Sequence, residues 1–191
     1  GENMVELSLL SGNGEALIDE QRDVPLHPTW YDSTYFDEIY HARTAYEHLL
    51  GAEPYENTHP TLGKLIMSLG ILLFGMNPFG WRFMGALLGV LMLPILYHLI
   101  KRLFGKSWLA FCGTVLFALD FMHFTQTRIA TIDTYAVFFL LLMYDTMLCF
   151  CQQDLRTAPL KKLLLPLCLC GIFTGMGIAS KWTAAYGAIG L

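Results

Sequence analysis

Hydrophobic and polar positions divide this chain into two unlike parts. Residues 1–60 are polar and acidic, whereas from Leu65 onward apolar runs follow one another with short polar breaks. A membrane-spanning helix requires about 20 predominantly apolar residues. The run 79–100 qualifies, with Arg82 as its only strong charge, near one end. The run 108–124 is a second expected span, interrupted late by Asp120. A third covers 132–151, with Asp133 at its start and Asp145 inside, and a fourth covers 163–179. Residues 183–191 read as the start of a fifth. The stretch 65–76 holds only about three turns and suits an interfacial or re-entrant helix.

Upstream of the apolar part, Ile39, Ala42, Tyr46, Leu49 and Leu50 recur at helical spacing. Ser33 or Thr34 is placed to cap this helix, Asp37 and Glu38 suit its positive N-terminal end, and Gly51 ends it. It is expected to lie flat on the membrane surface. Residues 4–10 roughly alternate and lead into the turn signal Ser11-Gly12-Asn13-Gly14, so 1–24 read as the β-like end of an upstream domain. The expected organisation is then 1–24 as that end, 25–77 as an external loop with interfacial helices, and 78–191 as a transmembrane helix bundle. The chain starts at Gly1 and stops within an apolar run. It is therefore read as a piece of a larger protein, with one span expected upstream and several downstream.

Composition agrees with this division. The chain has 191 residues, of which 54% are hydrophobic and 15% charged, against about 25% charged in soluble domains. Mean hydropathy is +0.46. A formal net charge of −4 argues against nucleic acid as a partner. The five cysteines, Cys112, Cys149, Cys151, Cys168 and Cys170, lie in or beside apolar runs without a histidine cluster. They read as small apolar filler, and no metal site is expected.

Lysine and arginine orient the spans. Lys101, Arg102 and Lys106 follow the first span, and Arg156, Lys161 and Lys162 follow the third. These loops lie two spans apart, so they face one side, which the positive-inside rule makes cytoplasmic. The opposite, extracytoplasmic side then receives Asp37, Glu38, His59, Lys64, Arg82, the loop 123–133 with Arg128 and Asp133, and the turn Ser180-Lys181-Trp182. Singly, each has a structural reading. Asp37 and Glu38 suit a helix dipole, Arg82 can snorkel, Asp133 can cap a helix, His59 can stabilise a turn, and Lys181 can meet a headgroup. Together they supply carboxylates able to take a proton from a hydroxyl and cations able to hold a phosphate. Border charges of this kind are costly and mark function.

Two of these segments, Tyr35-Phe36-Asp37-Glu38-Ile39-Tyr40-His41 and His59-Pro60-Thr61-Leu62-Gly63-Lys64, resemble the first external loop of the protein O-mannosyltransferases, GT-C glycosyltransferases that use polyprenyl-phosphate sugars. The stretch from Asp120 to Asp133 and Gly177-Ile178-Ala179-Ser180-Lys181-Trp182-Thr183 are similar to later landmarks of that family, and the resemblance covers about residues 31–191. It implies an all-α polytopic membrane protein of GT-C type. It implies Asp37 as catalytic base, Glu38 as the neighbour that orients acceptor or sugar, and Arg82 at the lipid phosphate. His59 and Lys64 would line the cavity, with Arg128, Asp133 and Lys181 in the substrate-binding set. The implied partners are the bilayer, polyprenyl-phosphate mannose and an acceptor polypeptide, with no cofactor beyond the lipid-linked sugar. The family often has a second proline where this chain has Thr61. Two alternatives stay open: a GT-C transferase with a lipid or envelope-glycan acceptor, and a polytopic lipid transporter. Charges crowding the span ends favour interfacial chemistry over transport.

Overall fold

A computed structural model describes residues 36–191. The expected β-like segment and the Ser33 or Thr34 cap lie outside the described residues. All regular structure among the described residues is helical: α1 (Phe36–Leu50), α2 (Leu62–Phe74), α3 (Pro78–Phe104), α4 (Ser107–Ala118), α5 (Phe121–Gln126), α6 (Asp133–Cys151), α7 (Leu160–Ser180) and α8 (Ala184–Ile189). Three of them, α3, α6 and α7, are long and apolar enough to cross a membrane.

Local chemistry sets the boundaries. Gly51, at φ 65°, ends α1 as its position in the sequence predicts. Pro78 occupies the first turn of α3, where its missing N–H costs nothing, and Asn77 caps that turn by accepting from the Gly80 amide at 3.0 Å. Gly105, left-handed at φ 68°, closes α3 after Lys101 and Arg102. The expected span 108–124, read as interrupted late by Asp120, is divided there into α4 and α5. Asp120 causes the break: its carboxylate accepts from the His123 amide at 2.9 Å and starts a new helix. Where a fifth span was expected to begin, α8 is a six-residue helix, tied by the Tyr144 hydroxyl to the Gly187 carbonyl at 2.7 Å.

Side-chain contacts give the helix directions. The Gln152 amide at the end of α6 donates to the Arg102 carbonyl at the end of α3 (3.1 Å), so these two helices run the same way. Lys181 at the end of α7 meets Asp133 at the start of α6, so α7 runs back. The α4–α5 pair returns the chain along α3, with Gly113 against Ile100 and Gly89 against Thr127. The chain therefore traverses the bundle four times, once through a broken helix. Asp37, Arg82, Asp133 and Lys181 fall at one end. Arg102 and Gln152 fall at the other, with Asp145, whose carboxylate oxygens both lie 3.0 Å from His98 Nδ1.

The apolar core sits directly beneath the first of these ends. Ala42 and Ala45 of α1, Met67 and Ile71 of α2, Trp81 and Leu88 of α3, and Ala130, Ile132 and Tyr135 around the start of α6 are buried against one another. Elsewhere large apolar side chains are exposed, among them Leu72, Val90, Phe111, Leu116 and Ile172. This is the outward face expected where lipid is the solvent. Of the cysteines, Cys170 alone is buried, so filler between helices describes that residue and not Cys112, Cys151 or Cys168, which are exposed.

Three glycines make the α2–α3 corner. A Cβ on Gly70 would strike the Gly80 carbonyl, and one on Gly80 would strike the Gly75 carbonyl, whereas Gly171 and Gly175 face open space. Gly80→Ala should therefore lower thermal stability of the intact protein in detergent, by about 1–3 kcal/mol for an overpacked site. Gly171→Ala should stay within about 0.5 kcal/mol, as exposed substitutions do. Equal melting of the two variants would contradict this packing.

Candidate functional site

The site is built on α1, and its construction is unusual. The apolar stripe read from the sequence marks the buried face only in part: Ala42 is buried and Tyr46 packs on the core, but Leu49 and Leu50 are exposed, and Glu38, His41, Arg43, Thr44 and Glu47 are buried with Ala42 and Ala45. A helix with so many buried polar groups is held by pairing, since an unpaired buried charge is strongly destabilising.

The first pairing uses Glu38. Its carboxylate is fully buried and is met by Arg82 of α3 through both prongs, Nε to Oε1 and Nη2 to Oε2, each at 2.7 Å. The Ala130 amide, on the loop between α5 and α6, donates to Oε1 at 2.7 Å. This bidentate geometry is the strongest form of a carboxylate–guanidinium contact. It clamps three distant segments together. Arg82 keeps a quarter of its side chain exposed, and its Nη1 group makes no hydrogen bond among the described residues.

The second pairing uses Glu56, which the sequence reading did not single out. Lys64, fully buried on α2, makes an ion pair with the Glu56 carboxylate and donates to the backbone carbonyls of Glu56 (2.8 Å) and His59 (3.2 Å). These contacts account for its three N–H donors. The Glu56 carboxylate also accepts from the Thr58 amide at 2.7 Å, the Thr58 hydroxyl and the His59 amide at 3.1 Å. His41 Nδ1 lies 3.8 Å from it, and the His41 and His59 rings are 5.9 Å apart at 59°. Nothing in the spacing marks Glu56, because a loop has no period. A third pairing folds the same loop over α1: Glu47 accepts from Arg43 Nε at 2.8 Å and from the Tyr55 amide at 2.6 Å.

Asp37 stands apart from these pairings. It is half-buried and has no hydrogen bond or ion pair among the described residues. It adjoins Glu38 in sequence and His41 one turn on. The remaining predicted residues fall at the same end of the bundle. Lys181 donates to Asp133 at 2.6 Å, so Asp133, expected as a possible cap, pairs with α7 instead. Arg128 is exposed, with its guanidinium 4.8 Å over the Phe124 ring. His59 and Lys64 are joined to each other and to Glu56, with the Lys64 ammonium directed into the protein. Asp145 belongs to the opposite end, where Arg102 Nε donates to His98 Nε2 at 3.2 Å. His98 is about 24 Å from Arg82 along α3, at 1.5 Å per residue. No cluster of three or more metal-ligating side chains occurs among the described residues.

The Glu56 centre responds to acid. Burial, above all, pushes His41 down to about 4, against the pull of the Glu56 charge. Burial alone would raise Glu56, but the hydrogen bonds from Lys64 and Thr58, with the Lys64 charge, outweigh it and hold the carboxyl at about 2. Both values lie below those of the unfolded chain, so both groups stabilise the fold at neutral pH. The His41 contribution is lost as pH falls from 6.5 to 4, and that of Glu56 as pH falls from 4.5 to 2. Thermal stability of the intact protein should therefore decline on acidification below pH 6.5, and His41→Gln should flatten the decline between 6.5 and 4. An unchanged slope in that variant would remove His41 from the account.

Comparison with known proteins converges on one family. Residues 72–191 match the family described as dolichyl-phosphate-mannose-protein mannosyltransferase, a region that holds Arg82, Arg128, Asp133 and Lys181 and begins beyond Asp37 and Glu38. A polyprenol-phosphate-mannose–protein mannosyltransferase of Mycobacterium tuberculosis is 30% identical over 119 residues, covering 59% of this chain and 23% of that protein. Dolichyl-phosphate-mannose–protein mannosyltransferase 1 of Saccharomyces cerevisiae is 25% identical over 174 residues, covering 82% of this chain and 21% of that protein. The chain thus spans less than a quarter of the length of these relatives. The crystal structure of ArnT from Cupriavidus metallidurans in the apo state shares the fold, with a TM-score of 0.65 at 21% identity over 78% of this chain and 28% of that one. The fold is the GT-C-type helix bundle expected from the sequence. With the family match extending over well more than half its length, this chain belongs to the dolichyl-phosphate-mannose-protein mannosyltransferase family.

Proposed function

We propose that the protein is an inverting glycosyltransferase that moves mannose from a polyprenyl-phosphate carrier to Ser or Thr hydroxyls of exported polypeptides. The observation that carries this reading is the division of labour in the acidic doublet. Glu38 is occupied by Arg82 and the Ala130 amide, while its neighbour Asp37 has no such partner among the described residues.

In this mechanism the acceptor hydroxyl attacks the anomeric carbon from the face opposite the phosphate. Asp37 takes the hydroxyl proton as the new C–O bond forms and the bond from the anomeric carbon to the phosphate oxygen breaks. A single displacement inverts the anomeric centre. The phosphate departs already charged, so cations stabilise it and no general acid is required. Arg82 is suited to that task because Glu38 holds its Nε and Nη2 and leaves Nη1 to meet the phosphate. Lys181, held by Asp133, and Arg128 supply further positive charge at the same end of the bundle. Glu38 is on this account a positioning residue for Arg82. His59 and Lys64 act through Glu56, fixing the loop that packs on α1.

The reaction is assigned to the extracytoplasmic side. Lys101 and Arg102 in the last turn of α3, Lys106 and Arg156 in the loops, and Lys161 and Lys162 in the first turn of α7 lie at the helix ends opposite Asp37, as the positive-inside rule requires of a cytoplasmic face. Relatives named for polyprenol-phosphate mannose and for protein acceptors support the donor and acceptor chosen here.

Asp37→Asn in the intact protein should lower transfer from polyprenyl-phosphate mannose to a Ser/Thr peptide by about 10²- to 10⁴-fold, the usual worth of a general base. Membrane insertion and thermal stability should be unchanged. Near-normal turnover would exclude Asp37 as the base. Mannose transfer to lipid but not to peptide acceptors would overturn the acceptor assignment.

A further inference from the structure

One surface feature beside Asp37 takes no part in the mechanism above. Tyr40, one turn along α1 from Asp37, and Tyr55, on the loop after α1, hold their rings nearly parallel, 5° apart in plane with centroids separated by 6.1 Å. Tyr55 is 57% exposed. The Arg43 guanidinium lies 3.9 Å from the centre of the Tyr55 ring and is itself fixed by the buried Glu47. The Glu47 carboxylate also holds the Tyr55 backbone amide. The ring is thus presented on a rigid support although most of its own surface is exposed. Folding does not require an exposed tyrosine there, since the loop is tied through its backbone and through Glu56.

From this geometry we infer that Tyr40 and Tyr55 form a docking platform for the acceptor polypeptide, next to the residue modified. The inference rests on the transferase reading above and deepens it. The position selects the occupant. The acceptor must bring its hydroxyl to Asp37, and residues three apart on a helix have Cβ atoms about 5–6 Å apart. An extended acceptor advancing about 3.3 Å per residue then reaches the Tyr40 ring within two or three residues of the modified one. The donor phosphate is placed at Arg82, on the side of α1 that Glu38 faces, whereas Tyr55 lies exposed on the loop after α1. Tyrosine faces accept prolyl, aliphatic and Cα–H groups, while their hydroxyls reach peptide carbonyls, and exposed rigid tyrosines are typical anchors of peptide recognition.

The test is steady-state kinetics of the intact protein with synthetic polyprenyl-phosphate mannose and two acceptors: a Ser-containing peptide of about ten residues and a blocked single-residue serine amide. Tyr55→Ala keeps the backbone bond to Glu47. It should raise the peptide KM about five- to tenfold, the loss of one aromatic anchor, with the donor KM unchanged. Tyr55→Phe should recover most of the loss. With the serine amide, which cannot reach the platform, wild type and Tyr55→Ala should behave alike. A fold defect would weaken both acceptors equally, so equal loss on the two overturns the inference. So does an unchanged peptide KM, or a raised donor KM, which would assign the rings to the sugar. Absence of mannose transfer to any peptide by the wild-type protein would instead refute the transferase reading itself.

Discussion

A single buried carboxylate organises this end of the protein. Glu38 is fully removed from solvent, and an isolated charge there would cost several kcal/mol. It is tolerated because the Arg82 guanidinium and the Ala130 amide both reach it at 2.7 Å. The partners lie 44 and 92 residues away in sequence, so the charge is satisfied only when α1, α3 and the α5–α6 loop are together. The close approach of that loop to α3 depends in turn on small residues. Thr127 packs against Gly89, and the Thr127 carbonyl stands 3.5 Å from where a Cβ on Gly85 would lie.

The Glu56–Lys64 pair does for α1 and α2 what Glu38 does for α1 and α3. Lys64 has no exposed surface and gives all its donors to the segment 56–59. Together the two pairs hold a helix whose inward face is largely polar, over a core of Met67, Ile71, Trp81, Ile132 and Tyr135. In a membrane protein the apolar effect separates lipid-facing from buried surface poorly, because both are greasy. Ion pairs and backbone hydrogen bonds therefore specify how α1 seats on the bundle. Among the described residues, Asp37 is the member of the doublet without a hydrogen bond or ion pair, the property on which its proposed role as proton acceptor rests.

The two ends of the bundle differ in kind. One end gathers Asp37, Glu38, Arg82, Asp133 and Lys181, and the proposed chemistry and the aromatic platform both belong there. The other carries His98, Arg102 and Asp145, which tie α3 to α6. The broken α4–α5 path links the ends. Asp120 ends one helix and starts the next, and the loop that follows delivers the Ala130 amide to Glu38.

Much of this was legible in the sequence. Apolar run length located α3, α6 and α7 to within a few residues, because the thickness of a bilayer sets the length of a spanning helix. Alternating direction placed Arg82, Asp133 and Lys181 at one end before any contact was known. The end of α1 at Gly51 follows from local backbone chemistry alone. The sequence did not say that Glu38 rather than Asp37 would take the arginine, that Lys64 would turn inward to Glu56, or that Asp133 would pair with Lys181. Nor did it show that Asp120, read as an interruption, would cap a separate helix, or that the inner face of α1 would be largely polar. Periodicity and hydropathy report each residue's preference for water or grease. A charge pair between segments dozens of residues apart is a choice among partners, and only the packed helices decide which carboxylate meets which cation.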